Sequence, residues 1–168
     1  MMPRARFLAA LLMVSLIGCA DGQAPPDEEP ATPRGSYEID RETGETIARH
    51  EDEDGAVTTM RSGPGVPPVL PDRFTLYPGA RVTNTTRVER DGLILLTVDL
   101  ESGEDPAAIV AYYRAEALEA GFAIEVDLEG SEGVTLTGRS AGGDTLSLVA
   151  ANGQAGTRAQ LTLALAPG

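Results

Sequence analysis

In the stretch LILLTVDL, residues 93–100, the apolar side chains Ile94, Leu96, Val98 and Leu100 occupy every second position. A period of two places them on one face of a strand. The preceding stretch ARVTNTTRVE, residues 80–89, alternates as well, and Asp91-Gly92 between the two is a dipeptide favoured in two-residue hairpin turns. The period then changes. Asp105 is suited to cap a helix and Pro106 to open it, since the missing N–H has no partner there anyway. Ile109, Val110, Tyr113, Ala117 and Ala120 form one stripe at helical spacing, with Arg114 beside it and Glu119 opposite. Gly121 supplies a left-handed stop.

After the helix, FAIEVDLE (residues 122–129) alternates strictly, which puts Phe122, Ile124, Val126 and Leu128 inside and the acids outside. Three further strands are expected near residues 134–139, 146–150 and 158–165, separated by glycine-rich turns. The order is β-β-α-β-β-β-β. One amphipathic helix covers one sheet face, so the expected fold class is α+β: a two-layer domain with the helix packed on a mainly antiparallel sheet. In that arrangement Ile109 and Tyr113 pack against Leu96, Val98, Ile124 and Leu136, and Tyr112 lies off the stripe as an exposed aromatic.

The region ahead of this domain is poorer in apolar residues. Residues 37–39, 46–49 and 56–61 are β-like pieces separated by turns, but their hydrophobes are only Tyr37, Ile39, Ile47, Val57 and Met60. A free meander with so little core is marginal. Residues 36–71 therefore read as a weakly ordered hairpin or meander followed by the turn-rich linker GPGVPPVLPDRF, and residues 72–166 as the globular domain.

The amino terminus has a different pattern. Arg4 and Arg6 precede FLAALLMVSLIG, residues 7–18. The run is shorter than the roughly 20 apolar residues of a membrane-spanning helix and fits the apolar core of a signal peptide at residues 1–18. It ends in Leu16-Ile17-Gly18-Cys19, which resembles the lipobox of bacterial lipoproteins. The resemblance implies that the Cys19 thiol receives a diacylglycerol, that the leader is cut before it, and that the new amino terminus is acylated. Membrane lipid is then a partner through acylated Cys19, in a bacterial membrane with the domain facing the periplasm. Ala20 rather than Asp directly after the cysteine favours the outer membrane under the rule known for enteric bacteria. Cleavage by ordinary signal peptidase after Ala20 is the alternative. Beyond Cys19, residues 20–36 carry four prolines and clustered acids. Such a segment buries too little apolar surface to offset its ordering entropy and reads as a disordered tether.

Charge narrows the partners. The chain carries 26 acidic and 13 basic residues, a formal charge of -13, and every basic residue is Arg. A nucleic-acid partner requires a basic footprint that is missing here. One cysteine makes no internal disulfide and no cysteine-based metal site. The only histidine, His50, lies in the apolar-poor region, so a serine–histidine–acid triad within the domain is excluded. The acid run 51–54 fails the EF-hand template, because with Gly55 as sixth position the twelfth is Arg61. GGDTLSL, residues 142–148, occurs once and reads as a hairpin turn rather than a calcium β-roll. Glu125, Asp127 and Glu129 read as a solvated sheet face. These readings assign no catalytic residue, no metal and no cofactor, and the chain is not expected to be an enzyme. Tyr112 is the one candidate binding residue.

Residues 70–82, LPDRFTLYPGARV, and IVAYYRAEALEAGF at 109–122 resemble a family of uncharacterised bacterial envelope lipoproteins. That family pairs a YPGA turn with a later aromatic-aromatic helix ending in Gly-Phe. The layout of lipid, tether and helix-on-sheet domain also resembles BamC-like lipoproteins in architecture. The resemblance carries no catalytic residues, and with no catalytic constellation in the chain the first reading is a non-catalytic envelope module that binds a protein partner, by strand addition at an exposed sheet edge. The alternative is a small-ligand or cell-wall binding domain using the gap between helix and sheet.

Overall fold

The computed structural model describes residues 34–130, 133–154 and 156–167. The signal peptide, Cys19 and the tether up to residue 33 lie outside the described residues. The expected alternation produces β4 (Arg81–Arg90) and β5 (Leu93–Ser102), and Asp91 and Gly92 between them have φ of 50° and 79°. Two successive positive φ values define the turn whose twist matches that of the flanking strands. Helix α1 (Pro106–Glu119) begins as expected: the Asp105 carboxylate accepts from the Ala107 N–H at 2.9 Å. It ends at Gly121, with φ 84°. Four strands follow: β6 (Phe122–Glu129), β7 (Gly133–Ser140), β8 (Thr145–Gly153) and β9 (Gly156–Leu165).

Three more strands precede these: β1 (Gly35–Ile39), β2 (Thr46–Glu51) and β3 (Val57–Gly63). Among the described residues these nine strands form one antiparallel sheet, in the order β1-β2-β3-β4-β5-β9-β8-β7-β6, and α1 is the one helix. The molecule is thus α+β. The order β-β-α-β-β-β-β describes residues 81–165, and the 36–63 segment continues the same sheet outward from β4. Backbone pairing carries that continuation. β3 pairs with β4 from Thr58↔Arg90 to Gly63↔Thr85, and a ladder satisfies backbone groups whether or not the side chains have a core to fill.

The core lies on one face. Leu96, Val98, Ile109, Tyr113, Leu136, Leu148 and Leu161 are buried together there, with Ile124 half-buried beside them. The helix lies over β6, β7, β8 and, less extensively, β9. It therefore covers one end of the sheet rather than the whole face. The end of the stretch expected as a linker packs into the same core through Phe74, whose ring lies edge-on to Phe122 at 5.7 Å, while Val66 is buried outside that cluster. This strap then runs along α1. Arg73 Nη1 donates to the Glu119 carbonyl at 3.0 Å, and the Tyr77 N–H donates to the Tyr113 hydroxyl at 3.1 Å.

β6 departs from the expected strict alternation. Its register against β7 shifts between Ile124 and Val126. A β-bulge adds one residue and exchanges the faces beyond it. Asp127 therefore lies opposite buried Leu136, on the helix side, and its carboxylate accepts from Arg114 Nη2 at 2.6 Å. Leu128, expected inside, is 64% exposed on the other face.

Candidate interaction surface

The face away from α1 has a readable register. Pairing sets Thr46, Ser62, Thr86, Thr97, Thr162, Ser147 and Thr137 side by side across seven consecutive strands, β2 to β7 in sheet order. Directly paired residues share a face, and the even-numbered neighbours Leu96 and Val98 of Thr97 are buried on the opposite side. The hydroxyls bond to one another where they meet: Ser62 Oγ with Thr86 Oγ1 at 2.8 Å, and Thr97 Oγ1 with Thr162 Oγ1 at 3.3 Å. Beside this row runs an apolar one, Tyr37, Ala48, Met60, Val88, Leu95 and Ala164. On its other side Asp99 accepts from Gln160 Nε2 at 2.8 Å and from Asn84 Nδ2 at 3.4 Å. Thr83, Asp99, Glu101 and Gln160 help line a shallow depression of about 320 Å³ there.

Register also assigns the exposed apolar residues. Of the nine large hydrophobes exposed among the described residues, Tyr37, Ile39, Leu93, Leu95, Leu128 and Val149 all lie on this face. Concentration on one face, rather than scatter, marks an interaction surface.

The two sheet edges differ. β6 ends the sheet with a bulge and with Glu125, Asp127 and Glu129 along it. Bulges and charges of this kind block strand addition. β1 ends the other side with five exposed residues, and all five pair with β2 in unbroken register. It has no proline, and Glu38 is its only charge. Its turn to β2 is fixed by Asp40, whose carboxylate accepts the backbone N–H groups of Glu42 at 2.8 Å and Thr43 at 3.1 Å. Those two bonds hold the Asp40 carboxyl below the usual carboxylate range.

Of the two residues singled out from sequence, Cys19 lies outside the described residues. Tyr112 is half-buried between Tyr77 at 5.2 Å and Tyr113 at 5.3 Å, both edge-on, and its hydroxyl hydrogen-bonds Thr75 Oγ1. It secures the strap to the helix and shows solvent only part of its ring. Tyr113 beneath it is fully buried, which pushes its hydroxyl up to about 12, while the bond from Tyr77 N–H lowers it and the nearby Glu116 raises it. The stripe above the sheet is packed to 0–1% exposure at Ile109, Val110, Tyr113 and Ala117, which gives a ligand in the helix–sheet gap no support.

The acid run 51–54 is engaged in local structure. Asp52 accepts from the N–H groups of Asp54 at 3.2 Å and Ala56 at 2.9 Å and from Arg90 Nη2 at 2.5 Å, and Arg34 pairs with Glu53 at 3.2 Å. Among the described residues no cluster of His, Cys, Asp and Glu has metal-binding geometry, and no helix is long and apolar enough to cross a membrane. In the 140–145 turn Asp144 accepts from Ser140 Oγ at 3.2 Å and from the Ala166 N–H at 2.9 Å, so GGDTLSL forms a hairpin turn. The open face and the bare edge escaped sequence reading because neither carries a motif. The only signal was threonine and serine at alternate positions, which reads equally well as an ordinary solvated face.

The geometry thus defines an antiparallel α+β domain with one covered and one open sheet face. Comparison with protein-family models, with curated proteins and with solved structures finds no match.

Proposed function

We propose that this chain is a bacterial envelope lipoprotein, anchored through acylated Cys19, whose two-layer α+β domain is a non-catalytic docking module for an envelope protein. The observation that carries the docking reading is the bare side of the sheet: six exposed hydrophobes on one face, ending at the unprotected strand β1. The anchor rests on the lipobox-like Leu16-Ile17-Gly18-Cys19 behind an apolar run. A thiolate is the nucleophile that such lipidation requires, and several acyl chains on one residue hold a protein stably where a single chain does not. The acidic tether then sets the domain off the membrane, with the outer membrane favoured by Ala20.

Two measurements test the two parts. Labelled palmitate should enter the wild-type chain and fail to enter Cys19→Ser; undiminished labelling of the variant refutes the anchor. Co-purification from detergent-solubilised membranes should recover a protein partner that is lost when Tyr37 and Ile39, at the β1 end of the open face, are both replaced by Glu. Retention of that partner refutes docking on this face.

A further inference from the structure

The free edge of β1 has a definite pattern of donors and acceptors. The Asp40 N–H donates to the Glu45 carbonyl at 2.8 Å, and the Arg34 carbonyl accepts from the Glu51 N–H at 2.9 Å. Even-numbered residues of this strand therefore bond inward to β2. By the period of two, Gly35, Tyr37 and Ile39 point their N–H and C=O groups away from the sheet. Three residues with unmet backbone groups at alternate positions form a ready template for another strand.

We infer that this edge pairs with the β1 edge of a second copy of the chain, antiparallel, about a two-fold axis at Tyr37. The inference rests on the docking reading above and names the partner. In this register Tyr37 faces Tyr37 of the partner subunit, and Gly35 faces Ile39 of the partner subunit on each side. All three outward residues then form hydrogen-bonded pairs, giving six N–H···O bonds across the axis. The side chains agree with the pairing. Arg34 comes opposite Asp40 of the partner subunit, twice by symmetry, and Ser36 opposite Glu38 of the partner subunit. A shift of one pairing step in one direction sets Glu38 against Glu38 of the partner subunit, a like-charge contact that disfavours the register. The opposite shift sets residue 33, a proline without an N–H, opposite the partner's Ile39. Charge and donor inventory thus select one register. It also carries the apolar row of the open face across the axis, from Tyr37 into Tyr37 of the partner subunit.

Antiparallel pairing offsets the two Gly35 residues by four positions, about 14 Å along the strands. Anchoring of both copies in one membrane, as the proposed lipidation implies, raises their effective concentration.

Cysteine cross-linking of the full chain in its membrane tests this. Under oxidation Tyr37→Cys should form a disulfide dimer, because a residue on the axis faces itself about 5.5 Å away, inside the disulfide range. Ser36→Cys and Glu38→Cys, each alone, should cross-link about tenfold less, since their own counterparts lie diagonally beyond the roughly 7 Å limit. Co-expressed, those two variants should cross-link to each other. The chain without an added cysteine gives the background from Cys19. Equal yields at all three positions, or a Tyr37→Cys chain that stays monomeric, overturn the pairing. So does a Tyr37→Cys chain cross-linked only to a different protein, which leaves the docking reading standing with another partner. Tyr37→Pro provides a second check. It removes one outward N–H and leaves the ladder to β2 intact, so the dimer seen by sedimentation in detergent should disappear with the urea midpoint unchanged. Persistence of the dimer in Tyr37→Pro also refutes the proposal.

Discussion

The two ends of the sheet are built from the same backbone ladder but held in different ways. From β5 through β9 every strand contributes buried side chains to the core beneath the helix and strap; Leu96, Leu148, Leu161 and Leu163 are each at most 1% exposed. From β1 through β3 only Gly63 is buried. That end depends on backbone pairing and on surface ion pairs such as Arg61 Nε to Glu45 Oε1 at 2.7 Å and Arg90 to Asp52 at 2.5 Å. Exposed ion pairs contribute about 0–1 kcal/mol each. Continuity of hydrogen bonding therefore does not imply uniform stability. The core end should unfold only with the whole domain, and the β1–β3 end should open at lower free energy.

The largest effect that can break this comparison is at the core. Ile109→Ala, under the helix, should cost about 2–5 kcal/mol through lost transfer free energy and the cavity left behind. Glu119→Ala, on the exposed side of the same helix, should cost no more than about 0.5 kcal/mol. Urea melts of the two variants decide it, and equal midpoints would mean that the helix does not hold the sheet through its buried stripe.

The next effect is in alkaline solution. The Tyr113 hydroxyl titrates near 12 in the folded chain because of its burial, against about 10 for an ordinary tyrosine. A raised folded value means that this stabilisation is fully present below pH 10 and is lost as pH rises through 12. The loss should reach about 2–3 kcal/mol across that window. Tyrosinate absorbance should show one late group that titrates with unfolding. Phe at position 113, which cannot ionise, should remove the late group and flatten the stability profile between pH 10 and 12. An unchanged profile in that variant would place the effect elsewhere.

These positions also show what the sequence makes legible. The Asp91-Gly92 turn, the Asp105 cap, the Gly121 stop and the stripe from Ile109 to Ala117 are local signals, set by backbone sterics and by one period at a time. All of them recur in the structure. The bulge in β6 did not show, because inserting one residue leaves each half of FAIEVDLE alternating; only pairing with β7 reveals that Asp127 turns toward Arg114. The strap was hidden for a related reason. GPGVPPVLPDRF has the composition of a linker, yet its Phe74 joins the core and its Val66 is buried. The role of β1–β3 was obscured because a ladder leaves no hydrophobic pattern, and of the two site residues only Tyr112 lies where the structure can describe it.

A smaller effect sharpens the comparison at the other end. Arg61 is exposed, and its guanidinium is held by its hydrogen bond to Glu45 and by the charge of that carboxylate. Arg61→Ala should leave the global urea midpoint almost unchanged, because an exposed ion pair is screened by solvent. Limited proteolysis should nevertheless cut the variant faster between residues 46 and 63, while cleavage of β7–β9 stays at the wild-type rate.

Native-state hydrogen exchange of the full chain measures the two ends at once, amide by amide. Amides in the β7–β8 and β5–β9 ladders, such as those of Leu148 and Leu161, should exchange only through global unfolding and share its dependence on urea. Ladder amides of β2 and β3 should exchange through local opening that is about 2 kcal/mol or more easier and nearly independent of urea. Equal protection and equal urea dependence from β2 to β8 would contradict the account, because the sheet would then be stabilised by its ladder and not by the core beneath one end.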